Sequence, residues 1–145
     1  MMTRETSTTE TLERFYAAEA AYVEAGGPGA ASFDEVAACL APDVTLHQAP
    51  GLPYSGVWQG PEGIERFLAV MGEAWRTMEF LDQRCFVDGQ DVVVTNHVRF
   101  VARATGRELH TRIVQEMTVR DGRIAEIRPF YWDPAAVTAA LTLPA

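Results

Sequence analysis

What most constrains this chain is the stretch from Asp91 to Asp133, which reads as three long strands in succession. DVVVTNHVRFVAR and ELHTRIVQEMTVR are joined at Ala104-Thr105-Gly106-Arg107, and RIAEIRPFYWD follows across Arg120-Asp121-Gly122-Arg123. Asp-Gly between alternating β-formers is a strong hairpin signal, because glycine accepts the positive φ that a tight turn requires. At roughly 3.3 Å per residue a strand of about 13 residues would reach about 43 Å, too far for a domain of this size. The sheet must therefore bend, through β-bulges. A bent sheet has a hollow face, and that is where a function is expected.

Alternation says what points into the hollow. Val92, Val94, Asn96, Val98 and Phe100 share one face of the first strand, and Thr95, His97, Arg99 and Arg103 take the other. In the second, Leu109, Thr111, Ile113, Gln115, Met117 and Val119 oppose His110, Arg112, Glu116 and Arg120. The apolar sets should line the core. In the third strand the less charged face is Ala125, Ile127, Pro129, Tyr131 and Asp133. Four polar groups, Asn96, Gln115, Tyr131 and Asp133, are thus expected to converge inside an apolar concavity. One bulge would exchange inward and outward residues beyond it.

The chain of 145 residues suits a single domain, 1–145, burying roughly two-thirds of its unfolded surface. A net charge of −8 argues against nucleic acid and against anionic membranes as partners. No apolar run approaches the ~20 residues needed to cross a bilayer. The segment MMTRETSTTE has no apolar signal core, so a cytoplasmic location is the expectation. Cys39 and Cys85 make neither a disulfide framework nor a metal cluster. His47, His97 and His110 lack the spacing of a common metal site, and no metal is expected.

In chain order, residues 1–6 are polar and expected to be disordered. Ser7 and Glu10 have capping-box spacing, followed by Leu12, Phe15, Tyr16, Ala20 and Val23 at helical intervals up to Gly26. Ser32 with Glu35 opens a shorter helix through Leu40, stopped by Pro42. Asp43–Ala49 reads as a short strand, and PGLPYSGVWQG as a loop carrying Tyr54 and Trp58. Pro61 starts a third helix whose stripe is Ile64, Phe67, Leu68, Met71 and Trp75. Residues 78–87 form a further strand, and the tail after Asp133 a short helix or extended cover. The class is α+β, with helices gathered against one sheet.

In APDVTLH, in GVWQGPEGIERF and in the closing DGRIAEIRPFYWDP, the chain resembles the nuclear transport factor 2-like superfamily. Within it, the likeness is to the SnoaL-like polyketide cyclase and ketosteroid isomerase-like group, from about Leu12 to Val137. The resemblance implies a cone-shaped α+β barrel: a strongly curved, mainly antiparallel sheet with three helices of the N-terminal half on its concave face. It also implies an apolar pocket and a homodimer formed through the outer sheet face. Members include isomerases, aldol cyclases, dehydratases, epoxide hydrolases and proteins without catalysis, so the chemistry has to come from the pocket. Asp133 matches the pocket aspartate that SnoaL-like enzymes often carry after the last strand. Tyr16 matches the first-helix tyrosine of the isomerases. Their strand aspartate has no counterpart here, since Asn96 and Gln115 occupy the inward faces.

Asp133 beside Tyr131 in an apolar cavity would have its pKa raised by desolvation and suit general acid/base work. Asp133-Pro134 is equally a good helix N-cap. Tyr131 with Asn96 or Gln115 would donate to a developing oxyanion. His47, ahead of the aromatic loop, is a candidate base at the mouth, although its parity opposes Val44 and Leu46. Tyr54, Trp58 and Trp75 would wall the pocket and stack on a planar ligand. The reading is a cofactor-independent enzyme doing cyclisation, isomerisation or dehydration on a hydrophobic cyclic or polyketide-like carbonyl compound. A non-catalytic small-molecule binding protein is the alternative, and epoxide hydrolysis, which needs an arginine inside, is third.

Overall fold

The computed structural model describes the backbone of residues 2–143 and the side chains of residues 8–143. Its helices are α1 (Met2–Glu24), α2 (Asp34–Ala37), α3 (Gly60–Ala74) and α4 (Pro134–Leu141). Its strands are β1 (Leu40–Gln48), β2 (Gly56–Gln59), β3 (Trp75–Asp88), β4 (Asp91–Ala102), β5 (Glu108–Arg120) and β6 (Arg123–Tyr131). The strands make one curled, unclosed sheet in the order β2-β1-β6-β5-β4-β3, with α1 and α3 against its inner face. All neighbours are antiparallel except β1 and β6, which run parallel.

Turn chemistry and bulges shape this sheet. Asp121 and Gly122 have φ of 54° and 74°, the paired left-handed residues of a type I′ hairpin between β5 and β6. The β4–β5 ladder runs unbroken from Asp91 opposite Thr118 to Val101 opposite Glu108. Parity therefore holds there, and Val92, Val94, Asn96, Val98, Phe100, Thr111, Ile113, Met117 and Val119 are all buried. Strand β3 slips twice, between Trp75 and Thr77 and between Phe80 and Asp82. The slips let Trp75, Met78, Phe80 and Gln83 all serve the inner side although their numbers mix odd and even.

Some element boundaries differ from the sequence expectation. Helix α1 begins at Met2, ahead of the Ser7–Glu10 spacing, and the Ser7 side chain lies outside the described residues. The second helix is a single turn in which the Ser32 Oγ accepts from the Asp34 N–H at 3.1 Å. Leu40 and Pro42 belong to β1, where the ladder to β6 is interrupted between Leu40 and Thr45; such an interruption tolerates a proline. The loop around Trp58 contains β2, and Trp75 ends α3 by opening β3.

The core fills the space between α1, α3 and the sheet. Trp75 is fully buried with its ring 4.5 Å from that of Phe100. Burial of each large apolar side chain contributes about 1.5–3 kcal/mol relative to exposure. Gly72 lets α3 pass against the end of α1, since a Cβ there would lie 3.2 Å from the Gly26 carbonyl carbon. Among the described residues, no helix is long and apolar enough to cross a membrane, and no group of three or more His, Cys, Asp or Glu is placed to hold a metal.

Candidate functional site

A cavity of about 480 Å³ of atom-free space opens between α1, α3 and the inner face of the sheet. Most of it is narrow crevice, and its wider part has room for about two waters. Phe15, Phe67, Phe80, Phe100, Ile113 and Ile127 are among its apolar walls. Its polar lining is Glu19, Gln48, Gln115 and Tyr131. Among the described residues no arginine or histidine lines it. The chain contains no lysine at all, so a Schiff base with a lysine side chain is outside its chemistry.

Glu19 is the chemical centre of this cavity. It lies four residues after Phe15 and three after Tyr16, which on a helix is the middle of the same inward stripe. Only 9% of its surface is exposed, and among the described residues no cation faces it. Burial alone pushes its carboxyl up to about 8. Near neutral pH it can therefore hold a proton or release one, the condition that acid/base catalysis needs.

Three phenols surround this carboxyl closely enough to feel its charge. The Tyr16 O–H donates to Gln115 Oε1, and the Tyr16 ring packs edge-on to Phe80 at 5.0 Å. The hydroxyls of Tyr54 and Tyr131 lie 3.0 Å apart. Burial pushes the Tyr54 phenol up to about 12 and carries Tyr16 and Tyr131 further above the ordinary range. All three stay neutral at working pH. They act as hydrogen-bond donors and not as phenolates. Gln48 adds a buried amide whose Oε1 has no hydrogen-bond partner among the described residues.

The cavity thus gathers Tyr131 and Gln115, with Tyr16 and Tyr54 directly behind them. Other expected site residues stand elsewhere. Asp133 is exposed and accepts from the Ala136 N–H at 3.1 Å as the N-cap of α4. Strand β6 ends at Tyr131, so the alternation that pointed Asp133 inward stops two residues short of it. His47 is on the outer side of β1, 3.3 Å from Glu126. Asn96 is buried beside the Tyr16 hydroxyl but off the cavity lining, accepting from the Gln83 amide at 2.7 Å and donating to the Ile113 carbonyl. Trp58 packs against Phe67 at 5.5 Å and Trp75 against Phe100, both in the core beside the cavity and not on its lining.

Sequence reasoning missed Glu19 and Gln48. The signal for Gln48 was the parity of Val44 and Leu46. That for Glu19 was the interval Leu12, Phe15, Tyr16, Tyr22, Val23, in which position 19 is the one acidic residue on an otherwise apolar stripe.

Comparison with known proteins agrees with this architecture. The SnoaL-like domain family matches residues 12–127. An uncharacterized protein of Mycobacterium tuberculosis is 31% identical over 105 residues, 70% of this chain and 78% of its own length. An NTF2-like protein of unknown function from Burkholderia pseudomallei superposes with a TM-score of 0.80 at 21% identity, covering 94% of this chain and 98% of its own. TerC, co-crystallised with polyporic acid, superposes with a TM-score of 0.78 at 20% identity, covering 93% and 98%.

Proposed function

Because this chain belongs to the SnoaL-like domain family of the NTF2-like superfamily, we propose that its inner cavity performs cofactor-independent acid/base chemistry on a hydrophobic cyclic or polyketide-like carbonyl compound. The observation that carries this reading is the buried, cation-free carboxyl of Glu19 inside an aromatic cavity. As a carboxylate it takes a proton from the carbon next to the carbonyl, and the C–H electron pair becomes an enolate. Tyr131, held by Tyr54, donates to the enolate oxygen together with the Gln48 or Gln115 amide. Return of the proton to a different carbon completes an isomerisation. Attack of the enolate carbon on a second carbonyl completes a cyclisation, with Glu19 protonating the new alkoxide. Only protons and electron pairs move.

Neighbours of this fold crystallised with ligands, polyporic acid in TerC among them, support a small-molecule site. A second reading, binding without turnover, is favoured by the narrowness of that space, whose wider part has room for only about two waters. Epoxide hydrolysis has the least support. Arg99 is engaged by Glu79 and Glu108 outside the cavity, and among the described residues no arginine lines it.

The protein is further proposed to act as a homodimer through the outer sheet face. Val93, Val114, Phe130 and Trp132 are exposed there, and Val114 lies directly opposite Phe130. Exposed apolar side chains set among the paired charges of Glu116 and Arg128 suit a self-complementary interface.

The test is a thermal-shift screen of wild type and Glu19→Gln against steroid ketones, anthraquinones and β-diketones, followed by a turnover assay on the hits. The proposal expects shared hits and a turnover loss of at least about 100-fold in the variant. Compounds recovered unaltered from both proteins would leave binding as the function.

A further inference from the structure

The inner cavity is too small for a polycyclic substrate as it stands, and its outer wall points to where the missing space lies. A second, open cleft runs between α1 and β3 on the far side of Met78 and Phe80. Both side chains line both spaces. Tyr16 lines the cleft while its hydroxyl reaches Gln115, which lines the cavity. Met78 and Phe80 are the side chains that the two spaces share.

We propose that the α1–β3 cleft is the outer chamber of one two-chamber binding site, that Phe80 is the movable septum, and that the site takes an elongated neutral aromatic molecule and excludes anions. This rests on the reading of the inner cavity as a ligand site. Phe80 is half-buried and is held by an edge-on contact with Tyr16, with no polar tether. It sits on β3, the strand at the open edge of the sheet, so its displacement disturbs one ladder and not two. The β3–β4 register slips immediately after it, between Phe80 and Asp82, and leaves Leu81 outside the pairing. Such a bulge re-aims a side chain and loosens the local ladder. Met78, the other shared residue, is unbranched and adapts readily to a new neighbour.

Charge sets the ligand class. Among the described residues the cleft carries Glu13, Glu24 and Glu79 against a single cation, Arg99. Arg99 is already bound by Glu79 at 3.5 Å and Glu108 at 2.9 Å. An anion approaching the cleft meets net negative potential, and behind it a cavity with a carboxyl and no cation. Neutral aromatic surface meets Tyr16, Phe80 and then the inner rings.

Two dyes of nearly one shape test this: neutral N-phenyl-1-naphthylamine and its sulfonated anion 8-anilino-1-naphthalenesulfonate, mixed with the full chain in stopped flow. The proposal expects wild type to take up the neutral dye at least tenfold more tightly than the anion. The neutral dye's association rate should rise about tenfold in Phe80→Ala and fall in Phe80→Trp, with Leu81→Ala as a control that leaves it unchanged. Circular dichroism confirms that each variant is folded. Neutral-dye binding that responds to Glu19→Gln, but keeps one rate in all Phe80 variants, overturns the septum and leaves the cavity reading standing. Equal binding of the two dyes overturns the charge selection. Absence of uptake by both wild type and Phe80→Ala overturns the cavity reading as well.

Discussion

The hydroxyls of Tyr54 and Tyr131 meet 3.0 Å apart beside the cavity, although 77 positions separate them in the chain. Tyr54 comes from the loop before β2 and Tyr131 from the last residue of β6, so only the folded sheet brings them together. Each gives the other its buried partner. Removal of one hydroxyl takes this partner from the second, leaving Tyr54 with Trp75 nearby or Tyr131 with Gln48 nearby.

Tyr131→Phe should therefore destabilise the fold by about 0.5–1.5 kcal/mol, the net worth of a typical buried hydrogen bond. Adding Tyr54→Phe should recover part of that loss. Urea unfolding of the two single variants and the double variant measures it as a coupling. Strictly additive losses would mean that the hydroxyls do not rely on each other.

Stability should fall as pH rises because of Glu19. Its carboxyl is raised from 4.5 to about 8 in the folded protein. Between those values the folded state holds a proton that the unfolded state has released, so the unfolded state binds fewer protons and unfolding becomes easier with rising pH. The contribution is at most about 1.4 kcal/mol per pH unit. It is absent below the unfolded value and complete above about 8. Glu19→Gln removes it. The urea midpoint of the variant should gain on wild type steadily from pH 5 to 8 and then level off, and a constant gap across that range would count against a protonated Glu19.

Asp133 should behave as a cap. Asp133→Ala loses the hydrogen bond to the Ala136 N–H and should cost about 1 kcal/mol, whereas Asp133→Asn, which still caps, should cost a few tenths. Neither substitution should change ligand binding in the cavity. A ligand affinity reduced tenfold in Asp133→Asn would return this residue to the site.

Val114→Glu should separate the proposed dimer. The glutamate would stand between Thr95 and Phe130 on that outer face, where burying its charge against a second copy is costly. Sedimentation should show wild type at twice the 16.0 kDa chain mass and the variant at the chain mass, with unchanged circular dichroism. A wild type that sediments as a single chain at all concentrations removes the dimer.

Legibility in the sequence followed the range of the interactions involved. Inward faces of β4 and β5 were readable because alternation is local and their ladder has no bulge. The Asp121-Gly122 turn was readable because its conformation is a property of two residues. Tyr131 and Gln115 reached the cavity for the same reason. Asp133 did not, since alternation gives no notice of where a strand stops, and the Pro134 that follows it starts a helix. His47 was already marked as outward by its own parity.

By itself the sequence determined the α+β class, the long bent hairpins and the apolar stripes, because each depends on hydrophobic period and turn chemistry within a few residues. Tertiary structure alone decided which polar groups share one enclosed space. Glu19, Gln48, Gln115 and Tyr131 come from a helix and three strands, and a carboxyl becomes a proton donor near neutral pH only when packing from all of those elements removes its water. Desolvation is a property of the assembled enclosure, and no local pattern encodes it.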